Sequence, residues 1–191
     1  MFALALLVAC AAAPAPGAAG LVVEQAVLTA DDGTTLHLDQ ATLDRDGKGQ
    51  GQGVSATTPG RPPLQIDAPL SDWDLKGRSA RFTGGVTATR GDVTLTCDTL
   101  SVQFASANRV QEATAEGSVV VTQGGRRATG SRAQLNADSG EIALTGEPRI
   151  SEGSNTMSGQ RITLWLDDDR VRCDQCRLVV DGDAIAPRGA P

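Results

Sequence analysis

The sequence predicts an all-β fold built from repeated antiparallel strand pairs, and three observations carry that expectation. Gly makes up 22 of 191 residues while Val, Leu, Ile and Thr recur in short runs, a balance that suits many strands joined by tight turns. Segments such as Thr94 to Phe104 alternate with period two, and beyond the N-terminal leader no window of helical length keeps apolar residues at three-and-four spacing. Three stretches also echo one another: Gly85-Val-Thr-Ala-Thr with Gly91-Asp-Val-Thr-Leu, Gly117-Ser-Val-Val-Val with Gly125-Arg-Arg-Ala-Thr, and Gly146-Glu-Pro-Arg-Ile with Asn155-Thr-Met-Ser-Gly. Their opening glycines lie roughly 30 residues apart, a period that marks stacked supersecondary units.

The chain opens on a short apolar run, Phe2 to Ala9, that ends in Leu7-Val8-Ala9-Cys10 and passes into Ala, Pro and Gly up to Gly20. Such a run reads as a secretion leader, too short to span a bilayer. The tetrapeptide ending at Cys10 resembles the bacterial lipoprotein box, which gives a signal peptide over 1–9 and cleavage before a lipidated Cys10. An ordinary leader cut after Ala13 or Ala15 is the other reading. Residues 10–20 then form an Ala/Pro tether. By resemblance to bacterial lipoprotein sorting, Ala11 in place of Asp favours the outer membrane.

The β domain is expected over 21–182, with a frayed polar tail over 183–191. Leu21 to Thr29 and Thr35 to Leu43 form a hairpin turned at Asp31-Asp32-Gly33. Asp44 to Pro63, with its Gly-Gln-Gly-Gln-Gly run and three prolines, reads as a mobile loop, and Gln65-Ile-Asp-Ala as a short edge strand. Trp73 and Leu75 share a face, as do Ala80 and Phe82. Between Val93 and Phe104 the apolar phase changes, from Val93, Leu95 and Cys97 to Leu100, Val102 and Phe104. A bulge near Asp98-Thr99 would keep both sets on one side and let the sheet fold over. Strands follow at Arg109 to Gln123, Arg126 to Ala137, Glu141 to Leu144, Arg149 to Ile150, Asn155 to Leu166 and Arg170 to Val180. Asp138-Ser-Gly140 and Asp167-Asp-Asp169 are their turns.

Phe82-Thr-Gly-Gly-Val86, Gly91-Asp-Val-Thr-Leu-Thr-Cys-Asp-Thr-Leu-Ser-Val102, Ala115-Glu-Gly-Ser-Val-Val-Val121, Ala128-Thr-Gly-Ser-Arg-Ala-Gln-Leu135, Ile142-Ala-Leu-Thr-Gly-Glu-Pro148 and Met157-Ser-Gly-Gln-Arg-Ile162 follow in a telling order. Over residues 72 to 180 the chain resembles the OstA-like family of lipopolysaccharide-transport proteins, which includes LptA and LptC. The resemblance implies a folded-over antiparallel sheet, a β-jelly-roll or β-taco, whose trough holds lipid A acyl chains. It further implies open ends that join other Lpt components, or further copies, by edge-strand addition in the periplasm.

Alternation places Phe82, Leu95, Leu100, Val102, Phe104, Val119, Val121, Leu135, Leu144, Ile162 and Leu164 inward. Read as a trough, these side chains hold acyl chains, each buried methylene contributing about 0.8 kcal/mol. Read as a closed sandwich, they are the core of a scaffold for protein contacts at the cell envelope.

Nucleic acid is excluded as a partner by a net charge of −6, the absence of Tyr and only three Phe and two Trp. No constellation supports an enzyme or a cofactor. His37 is the single histidine and has no nucleophile motif beside it, so Cys173-Asp-Gln-Cys176 lacks the further ligands a zinc site needs. In an exported chain a structural disulfide is expected, either within Cys173 and Cys176 or from Cys97 to one of them. A disulfide reductase built on Cys173 and Cys176 is the enzymatic alternative. Asp167-Asp-Asp169 lacks the spacing of a calcium loop and reads as a solvated turn. Arg126-Arg127 is either a hairpin tip or a contact for a lipid phosphate.

Overall fold

The computed structural model describes residues 5–7, 21–29, 33–106, 109–165 and 168–179. Cys10, most of the leader, the tether, Asp31, Asp32, Asp167 and the tail lie outside the described residues. Alternation along the chain produces one antiparallel sheet with 15 strands. They are β1 (Ala5–Leu7), β2 (Leu21–Thr29), β3 (Thr35–Leu43), β4 (Lys48–Thr58), β5 (Leu64–Asp74), β6 (Ser79–Arg90), β7 (Val93–Ser106), β8 (Arg109–Gln123), β9 (Arg126–Asn136), β10 (Glu141–Thr145), β11 (Arg149–Glu152), β12 (Asn155–Ser158), β13 (Arg161–Trp165), β14 (Asp168–Asp174) and β15 (Arg177–Val179). From β1 to β10 neighbours in sequence are neighbours in the sheet, and the sheet does not close on itself.

From β5 to β8 each strand carries an irregularity near its middle, and the β7–β8 pairing shifts again at Gln103–Ser106. Pairing shifts between Asp67 and Leu70 on β5, Thr83 and Val86 on β6, Thr96 and Thr99 on β7, and Glu116 and Val119 on β8. On β5 and β7 the shift reverses which parity faces inward, from Ala68 to Ser71 and from Cys97 to Leu100, while on β6 and β8 the inward residues Phe82 and Val86, and Ala115 and Val119, stand four apart and keep their parity. β4 reverses, burying Gly49 and Gly51, then Val54 and Ala56. β8 keeps its parity, burying Ala113 and Ala115, then Val119 and Val121. Because the shifts fall side by side on adjacent strands, they form a crease that divides the sheet into two walls.

The division is plainest at β9. Its residues Arg132 to Asn136 pair with β10, and that wall continues through β13 to β14. Its residues Arg126 to Thr129 pair with β11, and that wall continues through β12 to β15. The first wall therefore holds the β10 side of the crease and the second wall the β11 side. One strand serves both.

Glycines of the repeat lie on the crease. Gly117 has φ +77° and Gly146 φ +73°, a left-handed backbone that side chains rarely adopt. A Cβ at Gly117 would sit 2.2 Å from Asp98 Oδ2, and one at Gly146 would sit 1.6 Å from Ser131 Oγ. The same pairing recurs where Gly53 meets Asp39 and Gly84 meets Pro69. In each pair one strand turns on a glycine while its neighbour fills the vacated space.

Several expected boundaries are corrected. Lys48–Thr58 is a strand of 11 residues rather than a mobile loop. Its glycines face inward because Trp73 and Leu38 occupy their side-chain volume: a Cβ at Gly49 would meet Trp73 Nε1 at 2.1 Å, and one at Gly51 would meet Leu38 Cδ2 at 2.3 Å. Gln65-Ile-Asp-Ala belongs to the interior strand β5, hydrogen-bonded on both sides by β4 and β6. Asn155 to Leu166 breaks at Gly159-Gln160, since β12 belongs to the second wall and β13 to the first. Arg170 to Val180 divides in the same way into β14 and β15. Asp168 begins β14 rather than lying in a turn.

Gly117→Ala is expected to lower stability by about 1–3 kcal/mol, from left-handed strain added to the Asp98 clash. Gly125→Ala, at a hairpin tip with no atom within 4 Å of the added methyl, should stay within about 0.5 kcal/mol. Urea midpoints measured side by side check both; equal losses would deny the crease its special geometry.

Candidate functional site

Burial is graded from the crease outward. Beside the crease, Val86 and Val119 on the second wall are 1% exposed, and Leu144 and Ile162 on the first are 0% exposed. Toward the far ends of the strands Val121, Ile142 and Leu164 are still buried, but several apolar side chains are only half-buried. On the second wall these are Leu28, Leu36, Leu64, Val93 and Leu95; on the first they are Trp73, Phe104, Val110 and Leu135. The walls meet at the crease, and part of their far rim is a wetted apolar margin.

All of the expected inward residues lie in or against this one core. Phe82, Leu100, Val102, Val119, Val121, Leu144, Ile162 and Leu164 are buried in it, while Leu95, Phe104 and Leu135 pack against it from the rim. Between the walls near Val121, Ala128, Ile150 and Leu164 the remaining void is about 10 Å³, room for no more than one water. Small side chains dominate elsewhere: Ala26, Ala41, Ala56, Ala68, Ala113, Ala115, Ala128 and Ala133 are all buried. A larger cleft of about 740 Å³ lies along β3 to β8, but of the expected inward set it touches only Val102, and no second-wall residue lines it.

Sequence reading missed part of the rim. Leu28 and Leu36 were legible as strand residues, since they alternate with polar neighbours, but the β2–β3 hairpin carried no sign of which face joined the core. Trp73 was placed on a face without its function being evident. Its partner surface is a pair of glycines, and a glycine in sequence looks like a turn before it looks like a seat for an indole.

Ser71 is 2% exposed on the inner face of β5, and its Oγ has no hydrogen-bond partner among the described residues. Cys97 is a buried free thiol, not a disulfide partner. It lies on β7 at the crease, whereas the bond forms between Cys173 and Cys176. Cys173 lies one residue before the end of β14 on the first wall, and Cys176 immediately precedes β15 on the second, so the bridge spans the crease at the C-terminal edge. Burial pushes the Cys97 thiol up to about 11, and the Asp98 carboxylate pushes the same way.

The remaining polar candidates are surface features. His37 is exposed on β3. Arg126 pairs with Glu152 at 3.0 Å across β9 and β11, the arrangement of a hairpin tip. Arg170 pairs with Asp168 and lies 4.8 Å from the Trp165 ring centroid. Among the described residues no group of His, Cys, Asp or Glu could hold a metal ion.

An open antiparallel sheet, creased along its middle and apolar within, is a β-jelly-roll of the folded-over kind. The chain belongs to the LptA/(LptD N-terminal domain) LPS transport protein family, whose model matches residues 65–170. Among solved structures, the crystal structure of LptH, the LptA homologous periplasmic component of the lipopolysaccharide transport device of Pseudomonas aeruginosa, shares the fold. It aligns with TM-score 0.58 at 18% identity, covering 63% of this chain and 96% of that one. No curated protein matches the chain significantly.

Two consequences can be measured. Ser71→Ala removes an unsatisfied buried hydroxyl and is expected to raise stability by about 1 kcal/mol in urea unfolding; a loss of that size would mean the hydroxyl has a partner. For Cys97, the folded pKa lies above the ordinary 9.0, so its contribution is complete below pH 9 and is lost as pH rises toward 11. Cys97→Ala should remove an alkaline slope of at most about 1.4 kcal/mol per pH unit. An unchanged slope would place the thiol in water.

Proposed function

We propose that this protein carries lipopolysaccharide, or another acyl lipid, without catalysis, as one element of a periplasmic bridge toward the outer membrane. Family membership supports the transport class. The observation that carries the finer reading is the burial gradient: packing is complete at the crease, and half-buried Leu95, Phe104 and Leu135 line the rim together with Trp73. Acyl chains enter where side chains are already partly wet, and the two walls separate about the crease to admit them. Each methylene removed from water then contributes about 0.8 kcal/mol against the cost of parting the walls.

The sheet edges suit strand addition unequally. On β14 the charges Asp168, Arg170, Arg172 and Asp174 guard the first wall's edge. On the second wall β15 ends the sheet with exposed Leu178 and Val179, and at the opposite edge β2 exposes Leu21 and Val22. These apolar edges are the proposed contacts for other jelly-roll components or for head-to-tail copies. An export leader with lipidated Cys10 and a tether over 10–20 would hold the domain at a membrane, the outer membrane being favoured.

The small void between Val121 and Leu164 favours the second reading, a closed scaffold that binds only proteins. A fluorescent acyl-lipid probe separates the two. Lipopolysaccharide should displace the probe saturably, and Leu95→Asn and Phe104→Asn should each weaken capture about tenfold while the thermal transition remains cooperative. Absence of saturable displacement would remove the carrier reading.

A further inference from the structure

The 740 Å³ cleft along β3 to β8 lies outside the trough. No residue of the second wall contributes to it; its lining is two rows of outward polar side chains with the inward row Leu43, Gly49, Trp73, Ala80 and Val102 running between them along the floor. Cross-strand register sets them in a row: Thr42 opposite Gln50, Gln50 opposite Asp72, Asp72 opposite Arg81, Arg81 opposite Ser101 and Ser101 opposite Thr114. A second row lies one step nearer the rim, where Lys48 faces Asp74 and Gln103 faces Glu112. Six adjacent strands at about 4.8 Å spacing make the row about 24 Å long.

The chemistry of these rows narrows the occupant. The side chains of this face are polar, so an acyl chain gains nothing by lying there. Carboxylates Asp72, Asp74 and Glu112 outnumber the cations Lys48 and Arg81, so an isolated phosphate is not favoured. A peptide strand finds no open hydrogen-bonding edge, because β4 to β7 are each paired on both sides. What remains is a ligand dense in groups that both donate and accept. Hydroxyls of a sugar do both, and they are matched by guanidinium and ammonium donors, carboxylate acceptors, amides and hydroxyls set side by side. Gln50 Nε2 already donates to Asp72 Oδ1 at 3.0 Å, orienting that carboxylate. Among the described residues the side chains of Lys48, Arg81 and Glu112 make no ion pair or hydrogen bond to the protein. The cleft volume falls within the range of ligand sites.

We propose that this outer cleft is an oligosaccharide-binding site, separate from the acyl trough and on the opposite face of the same wall. The sugar is either the glycan portion of lipopolysaccharide or an N-acetylhexosamine strand of the cell wall, and the shared chemistry is a chain of hydroxyl-bearing rings laid across β3 to β8.

Amide NMR titration of the full chain tests this with three probes: deacylated core oligosaccharide from lipopolysaccharide, an N-acetylglucosamine tetrasaccharide, and inorganic phosphate. One or both sugars should shift amides of β4 to β8 saturably, and the one that binds identifies the source. Arg81→Ala and Gln103→Ala should each weaken it about tenfold, while Arg127→Ala on the second wall leaves it unchanged. The proposal is overturned if neither sugar binds, if phosphate binds as tightly, or if Arg81→Ala has no effect. Capture of the acyl-lipid probe by Arg81→Ala should match the parent protein, so loss of the sugar site and loss of the trough are read independently.

Discussion

The structure depends on a register shift repeated from strand to strand along one crease. A strand presents alternate residues to opposite faces, so a bent strand keeps its core inward only if the bend fits that alternation, either by reversing the parity, as on β5 and β7, or by spacing the flanking inward residues four apart, as on β6 and β8. That requirement is met at Asp67–Leu70, Thr83–Val86, Thr96–Thr99 and Glu116–Val119 in register with one another. Glycine on one strand and Asp, Pro or Ser on the next share the confined space there. At the C-terminal edge the same place is taken by Cys173, whose Sγ would lie 2.7 Å from a Cβ on Gly159.

A crease of this kind makes the two ends of each strand energetically different. Near the bend the walls touch, and Leu144 and Ile162 are wholly buried; away from it the chain has diverged and Leu135, Phe104 and Trp73 meet solvent. The proposed lipid carriage rests on this inequality. The crease holds the fold together, and the rim leaves apolar surface partly exposed. Alanines share the interior with large side chains such as Phe82, Leu100, Leu144 and Ile162.

Much of this was legible in the sequence for a physical reason: period-two alternation survives any tertiary context in which one face is buried. The phase change around Asp98 announced the crease on β7, and the repeated glycines Gly85, Gly117 and Gly146 marked it on its neighbours. What misled was glycine itself. Gly49 and Gly51 read as loop residues because their usual meaning is backbone freedom, whereas here they are the seat of Trp73. Division of Asn155 to Leu166 between two walls was also hidden, since nothing local tells a strand which partner it will meet. The outer polar rows were invisible for the same reason: Arg81, Ser101 and Thr114 are far apart in sequence and become neighbours only through register.

The claim at the centre is that the walls hinge about the crease and part at the rim. Strand β9 crosses the crease, and its flanking turn residues Gly125 and Ser139 are exposed at opposite rims. Spin labels at those two positions therefore report the hinge angle through a single distance. Pulsed dipolar spectroscopy should show that distance lengthening and its distribution narrowing when lipopolysaccharide is added. An unchanged distribution at saturating lipopolysaccharide, with binding shown in the same sample, would contradict the account.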